Sequence, residues 1–218
     1  MLFLCLLSCN KDNTATTTAL VTTPEADAAE DNSSGGVYKG SFVGSSGVTK
    51  VTLQKGKIEI LLTLDKVTRT LTTTSLASWK SGQAITGAVF TSGDWSVTLS
   101  VAADGSGPTL VFSIPGHASI TIAILKEKSS ALIKGFEGTY AGSESGTWNF
   151  LIRGNYLLGV SMSSDSKNGG LFSGNVDGNT LNIVGAGAVG TINGDVVSGT
   201  WQGQPADFRG TWTGKRTL

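Results

Sequence analysis

Two acidic residues, Glu137 and Glu144, flank the glycine-rich stretch Gly138-Thr139-Tyr140-Ala141-Gly142-Ser143 and are the first candidates for chemistry. A pair of carboxylates can hydrolyse a glycosidic bond when the fold holds them at a fixed separation on either side of it. Nothing in their spacing fixes such a separation, and acids in polar loops are exposed in most folds, so two solvated side chains are the plainer expectation. His117, the only histidine, lies in the turn Ile114-Pro115-Gly116-His117. With no cysteine or acidic cluster beside it, it is expected as a turn residue rather than a metal ligand or base. It is also the one histidine a serine nucleophile could use, so a Ser-His-Asp triad is not expected. Asp104-Gly105-Ser106-Gly107 lacks the repeated acids of a calcium loop. Gly185-Ala186-Gly187-Ala188-Val189-Gly190 matches the glycine spacing of a dinucleotide-binding turn. That chemistry needs a helix starting at the glycines, whereas Asn193-Gly194 signals a hairpin instead. No catalytic residue, metal or cofactor is assigned, and the chain reads as a non-enzyme. The rival reading is a hydrolase using Glu137 or Glu144.

The remaining candidates are aromatic. Gly-Thr-Trp occurs three times, ending in Trp148, Trp201 and Trp212, and Tyr140 follows a related Gly-Thr. Each tryptophan shares a strand face with residues suited to an interior: Phe150 and Ile152 beside Trp148, Val197 beside Trp201, Phe208 beside Trp212. Such rings can form a core, or they can form a ligand face of Trp148, Trp201, Trp212 and Tyr140. A unit this small leaves little volume for a cavity, which favours the core.

The elements that must position these residues are strands. Ile58, Ile60, Leu62 and Leu64 alternate with more polar neighbours, as do Trp95, Val97, Leu99 and Val101, the period of a half-buried strand. Lys55-Gly56, Ser92-Gly93, Asp177-Gly178-Asn179 and Asn193-Gly194 mark hairpin turns between such runs. The stretch from Ser75 to Gly82 has the bracketing of one or two helical turns carrying Leu76 and Trp79 as a plug. Tyr38-Lys39-Gly40-Ser41-Phe42-Val43-Gly44 is restated as Phe136-Glu137-Gly138-Thr139-Tyr140-Ala141-Gly142, and Lys126 to Ser130 interrupts the alternation between them. The expected fold is all-β, an antiparallel meander forming one or two small barrels or sandwiches behind a disordered N-terminal tether. The expected divisions are 1–8 as a signal segment, 9–36 as the tether, 37–128 as a first β unit and 129–218 as a second, glycine-rich one. All 30 glycines lie at or after Gly35, which marks the end of the tether. Asn10 to Ser34 holds six threonines and only Leu20 and Val21 as large apolar residues, too few to offset the entropy of ordering it.

Met1 to Leu7 is apolar but far too short to span a bilayer, and Leu6-Leu7-Ser8-Cys9 resembles the bacterial lipobox. The resemblance implies that Cys9 is the lipid attachment site, that Cys5 leaves with the signal, and that no thiol is left for a disulfide or metal site. The usual positive residue before the apolar run is missing. Lys11-Asp12 resembles, weakly, the charged signals that send some lipoproteins to the cell surface. The Gly-x-aromatic strand openings and meander spacing also resemble the calycin barrels, lipocalins and avidins, from which no ligand residue is carried over. The resulting expectation is a lipid-anchored protein of the bacterial outer membrane, in a non-catalytic binding or adhesion role or as a structural or assembly subunit. Its partners would be the membrane through the anchor and an unidentified small molecule, glycan or protein. Net charge is zero and the basic residues are scattered, so no nucleic-acid partner is expected.

Overall fold

A computed structural model describes residues 20–166, 169–185 and 187–218. The protein is all-β, and its strands form two eight-stranded antiparallel meanders. The first contains β1 (Gly36–Val43), β2 (Gly47–Gln54), β3 (Lys57–Leu64), β4 (Val67–Thr72), β5 (Ile85–Ser92), β6 (Trp95–Val101), β7 (Thr109–Ser113) and β8 (Thr121–Lys126). The second contains β9 (Ile133–Gly142), β10 (Gly146–Arg153), β11 (Tyr156–Ser163), β12 (Gly170–Asp177), β13 (Thr180–Val184), β14 (Ala188–Asn193), β15 (Val196–Gln202) and β16 (Arg209–Arg216). In both units the first strand pairs with the second and with the eighth: β1 with β2 and β8, β9 with β10 and β16. The second unit is a closed barrel, whereas the first is a barrel-like sheet left unpaired between β7 and β8.

The repeat seen at the start of each unit sits at equivalent places. Tyr38 and Phe42 of β1 and Phe136 of β9 are buried in the cores of their units, and Tyr140 packs against the second. Alternating strands bury one face, as β6 does with Trp95, Val97, Leu99 and Val101. β1 is buried along its whole length although its sequence alternates. Its outer face is covered by the second unit and by the chain that precedes it. Lys55 and Gly56, with φ of 52° and 75°, form the expected two-residue hairpin between β2 and β3. The stretch from Ser75 to Gly82 forms successive turns rather than a helix, and Leu76 inserts into the core from it. The described part of the expected tether differs more. Leu20 to Gly35 lies against the first unit, with a short 3-10 turn at Ala28–Glu30. The Glu25 carboxylate bridges Lys39 and Lys50 at 3.0 and 2.9 Å, and Asp31 accepts bonds from the Ser129 amide and hydroxyl at 2.8 and 2.7 Å. The segment is held by polar contacts, which a scarcity of apolar residues does not reveal. Cys5, Cys9 and Lys11-Asp12 lie outside the described residues.

The two units share an apolar seam. Val43 and Ala123 pack against Val160, and Leu125 packs against Ile133 and Leu151. Two side chains of β10 reach across it: Asn149 Nδ2 donates to the Phe42 carbonyl at 2.6 Å, and Arg153 to the Lys126 carbonyl at 2.7 Å.

Candidate functional site

The second barrel is filled at one end and hollow at the other. Phe136, Phe150, Ile152, Leu157, Leu181 and Val197 pack the end that carries the turns 154–155, 178–179 and 194–195. Eight strands enclose a bore that side chains can fill or that can hold one small ligand. Toward the turns 143–145 and 203–208 the filling stops, and a cavity of about 400 Å³ remains. That volume lies within the ordinary range of small-molecule pockets, about 300–1,000 Å³. The expectation that so small a unit has little room for a cavity does not hold. The barrel makes room by placing glycines where large side chains would otherwise meet.

The register shows how. Trp148 pairs across strands with Gly138, which pairs in turn with Gly214. Trp212 pairs with Gly199, which pairs with Gly190, and Trp201 pairs with Gly210, which pairs with Gly142. A Cβ on Gly138 or Gly214 would strike the Trp148 ring, one on Gly190 or Gly199 the Trp212 ring, and one on Gly210 the Trp201 ring. Each indole therefore lies flat over bare backbone of its neighbours, a known device for curving a small sheet. Trp148 and Trp212 are each 5% exposed, meet edge to face at 5.3 Å, and donate their ring N–H to the Thr139 and Thr200 carbonyls. Trp201 is half-buried, its Nε1 has no hydrogen-bond partner, and it meets Tyr140 and Phe208 edge-on at 6.1 and 5.2 Å. All four aromatics proposed from the sequence line the cavity, so the core and ligand-face readings converge on one set of rings. Trp148 and Trp212 form its packed floor, while Trp201 and Tyr140 form its upper wall.

The polar lining is sparse. Ser161 and Ser163 of β11 face the cavity, and Glu144 reaches it from the β9–β10 turn. The Tyr140 hydroxyl donates to Glu144 Oε1 at 3.3 Å. Burial pushes the Tyr140 phenol up from its ordinary pKa of 10.0, and the neighbouring Glu144 charge adds to that, so it remains a protonated donor at neutral pH. Phe208 was expected on the strand face of Trp212. It lies just before β16, in the loop that caps the cavity, where its amide bonds to the Pro205 carbonyl. Ser161, Ser163 and Phe172 escaped the sequence reading, although the alternation Leu157, Gly159, Ser161, Ser163 marks the two serines as inward-facing.

The other candidates separate. Glu137 lies on the outer side of the barrel wall, in a wide groove between the units, whereas Glu144 faces the interior cavity. The two acids therefore do not form a pair across one cleft. His117 Nδ1 contacts Ser45 Oγ at 2.6 Å and lies 3.8 Å from Asp65 Oδ2. A catalytic relay needs serine and acid on opposite ring nitrogens, and here both address the same one. Gly185 and Gly187 lie in the hairpin between β13 and β14, with no helix following them. Among the described residues, no three of His, Cys, Asp and Glu converge as a metal site would require. No family model, curated protein or solved structure matches the chain.

Proposed function

We propose that the protein is a lipid-anchored bacterial envelope protein whose second barrel retains one small, mostly apolar ligand without transforming it. The observation that carries this reading is the aromatic cavity at the unfilled end of a closed eight-stranded barrel. A mostly apolar hollow with a few convergent polar groups is what small-molecule sites have in common. Retention rather than turnover is supported by the separation of Glu137 from Glu144 and by the shared ring nitrogen of His117. Anchoring rests on the Leu6-Leu7-Ser8-Cys9 motif, since two or more acyl chains hold a protein at a membrane where one is marginal.

Titration with the neutral probe N-phenyl-1-naphthylamine tests the binding role. One probe should bind per chain with enhanced emission, and Trp201→Ala should abolish the enhancement. An unchanged titration in that variant would remove the second barrel as the site. Cys9→Ser, expressed behind a complete signal sequence, should move from the membrane fraction to the soluble one, and unchanged membrane association would refute the anchor.

A further inference from the structure

We propose that the ligand is an organic cation, an ammonium group on an apolar body, with its charge beside Glu144 and its body against Trp201, Trp148 and Phe208. The inference rests on the cavity being a ligand site at all. Among the described residues that line it, Glu144 alone is charged, and no Lys, Arg or His stands there. None of the ion pairs among the described residues involves Glu144. Its carboxylate accepts from the neutral Tyr140 hydroxyl, which holds it near the mouth.

The occupant's charge follows from desolvation. A ligand that fills the hollow up to its rim removes part of the water from half-buried Glu144, and desolvating a carboxylate without a counter-charge is costly. A neutral ligand leaves that cost standing, and an anion adds repulsion. A cation offsets it, and it gains a second attraction because the faces of aromatic rings carry negative potential, strongest for tryptophan. The cavity supplies both elements at once: indole and phenyl walls, and one acid at the rim. Ser161 and Ser163, on β11 beside the strand that follows Glu144, are short hydroxyls that can hydrogen-bond a substituent without opposing a positive charge.

The test compares benzyltrimethylammonium with its neutral isostere neopentylbenzene, using tryptophan emission of the full chain. The cation should bind on the order of tenfold more tightly, within the range of a desolvated cation on aromatic faces. Glu144→Gln should erase that preference, weakening the cation and tightening neopentylbenzene because no carboxylate is left to desolvate, and raising the salt concentration should weaken the cation alone. Equal binding of the two compounds to the parent would overturn the cation assignment while leaving a calyx that binds apolar ligands. A preference that survives Glu144→Gln would also overturn it. If neither compound nor N-phenyl-1-naphthylamine binds, the cavity is not a ligand site, and both readings fall together.

Discussion

At the scale of single residues, the three tryptophans look alike in sequence and differ in the barrel. Each follows Gly-Thr, each faces inward and each lies over glycine. What divides them is distance from the open end. Trp212 sits in the middle of β16 with its ring N–H bonded, whereas Trp201 ends its strand's inward row at the rim with an unbonded N–H. Inward alternation was therefore legible and the division of labour was not, because a ring that packs and a ring that lines a hollow follow the same period of two. Removing a buried tryptophan costs about 3–5 kcal/mol through lost contacts and a residual cavity. Trp212→Ala should lose about that much in thermal unfolding. Trp201→Ala should lose clearly less and fail to bind probe, since one side of its ring already faces empty space. The opposite ranking in melting experiments would mean that Trp201 is core and Trp212 is not.

At the scale of elements, the strands were legible from alternation, and the segment before them was not. Leu20 to Gly35 has no period of its own, and its partners are remote: Lys39, Lys50, Glu127 and Ser129. Glu127 is fully buried, pairs with Lys39 at 2.8 Å and accepts the Glu25 amide at 2.7 Å, so the segment closes over a desolvated charge pair that only the fold assembles. Burial pushes the Glu25 carboxyl up, but hydrogen bonds from Lys50 and Lys39 outweigh it and hold the pKa below 4.5. The Ser129 amide, joined by its hydroxyl, holds Asp31 below 3.8. Both acids are more acidic folded than unfolded, so their contribution is complete above those values and is lost as pH falls through the lower folded ones. Lys126 carries the same sign at higher pH. Burial, reinforced by Lys128, lowers its amine from 10.5 to about 8, so folding gains stability as pH rises from about 8 to 10.5. Residues 20–35 should therefore lose hydrogen-exchange protection, relative to the intrinsic rate at each pH, below about pH 4 and before the barrels open. Protection lost at one common pH across residues 20–35 and both units would show that the segment has no separate equilibrium.

At the scale of the whole molecule, the chain is one topology used twice with different outcomes. The restated opening, Tyr38 to Gly44 and Phe136 to Gly142, marks where each unit begins, and in both units that opening strand also receives the last. Composition could not anticipate that one copy would close and the other stay open between β7 and β8, because closure depends on the pairing of strands far apart in sequence. The open copy is covered by residues 20–35, whose Ser33 and Gly35 carbonyls accept from Lys126 of β8, and by its seam with the closed barrel. A fragment from Ser129 to Leu218 keeps all eight strands of the barrel and its closing pair, β9 with β16, but exposes Leu151, Ile133 and Val160 on the former seam. Each such side chain forfeits up to about 1.5–3 kcal/mol of burial. A domain of this size has only about 5–15 kcal/mol in total, so the loss is large without being fatal. The fragment should unfold cooperatively by circular dichroism, at a midpoint well below that of the full chain. Leu151→Ser within the full chain should lower the midpoint too, yet in the fragment it should change little, because there the side chain already faces water. An equal effect of Leu151→Ser in both backgrounds would place that side chain in the barrel's own core, and a fragment without a cooperative transition would make the two meanders a single folding unit.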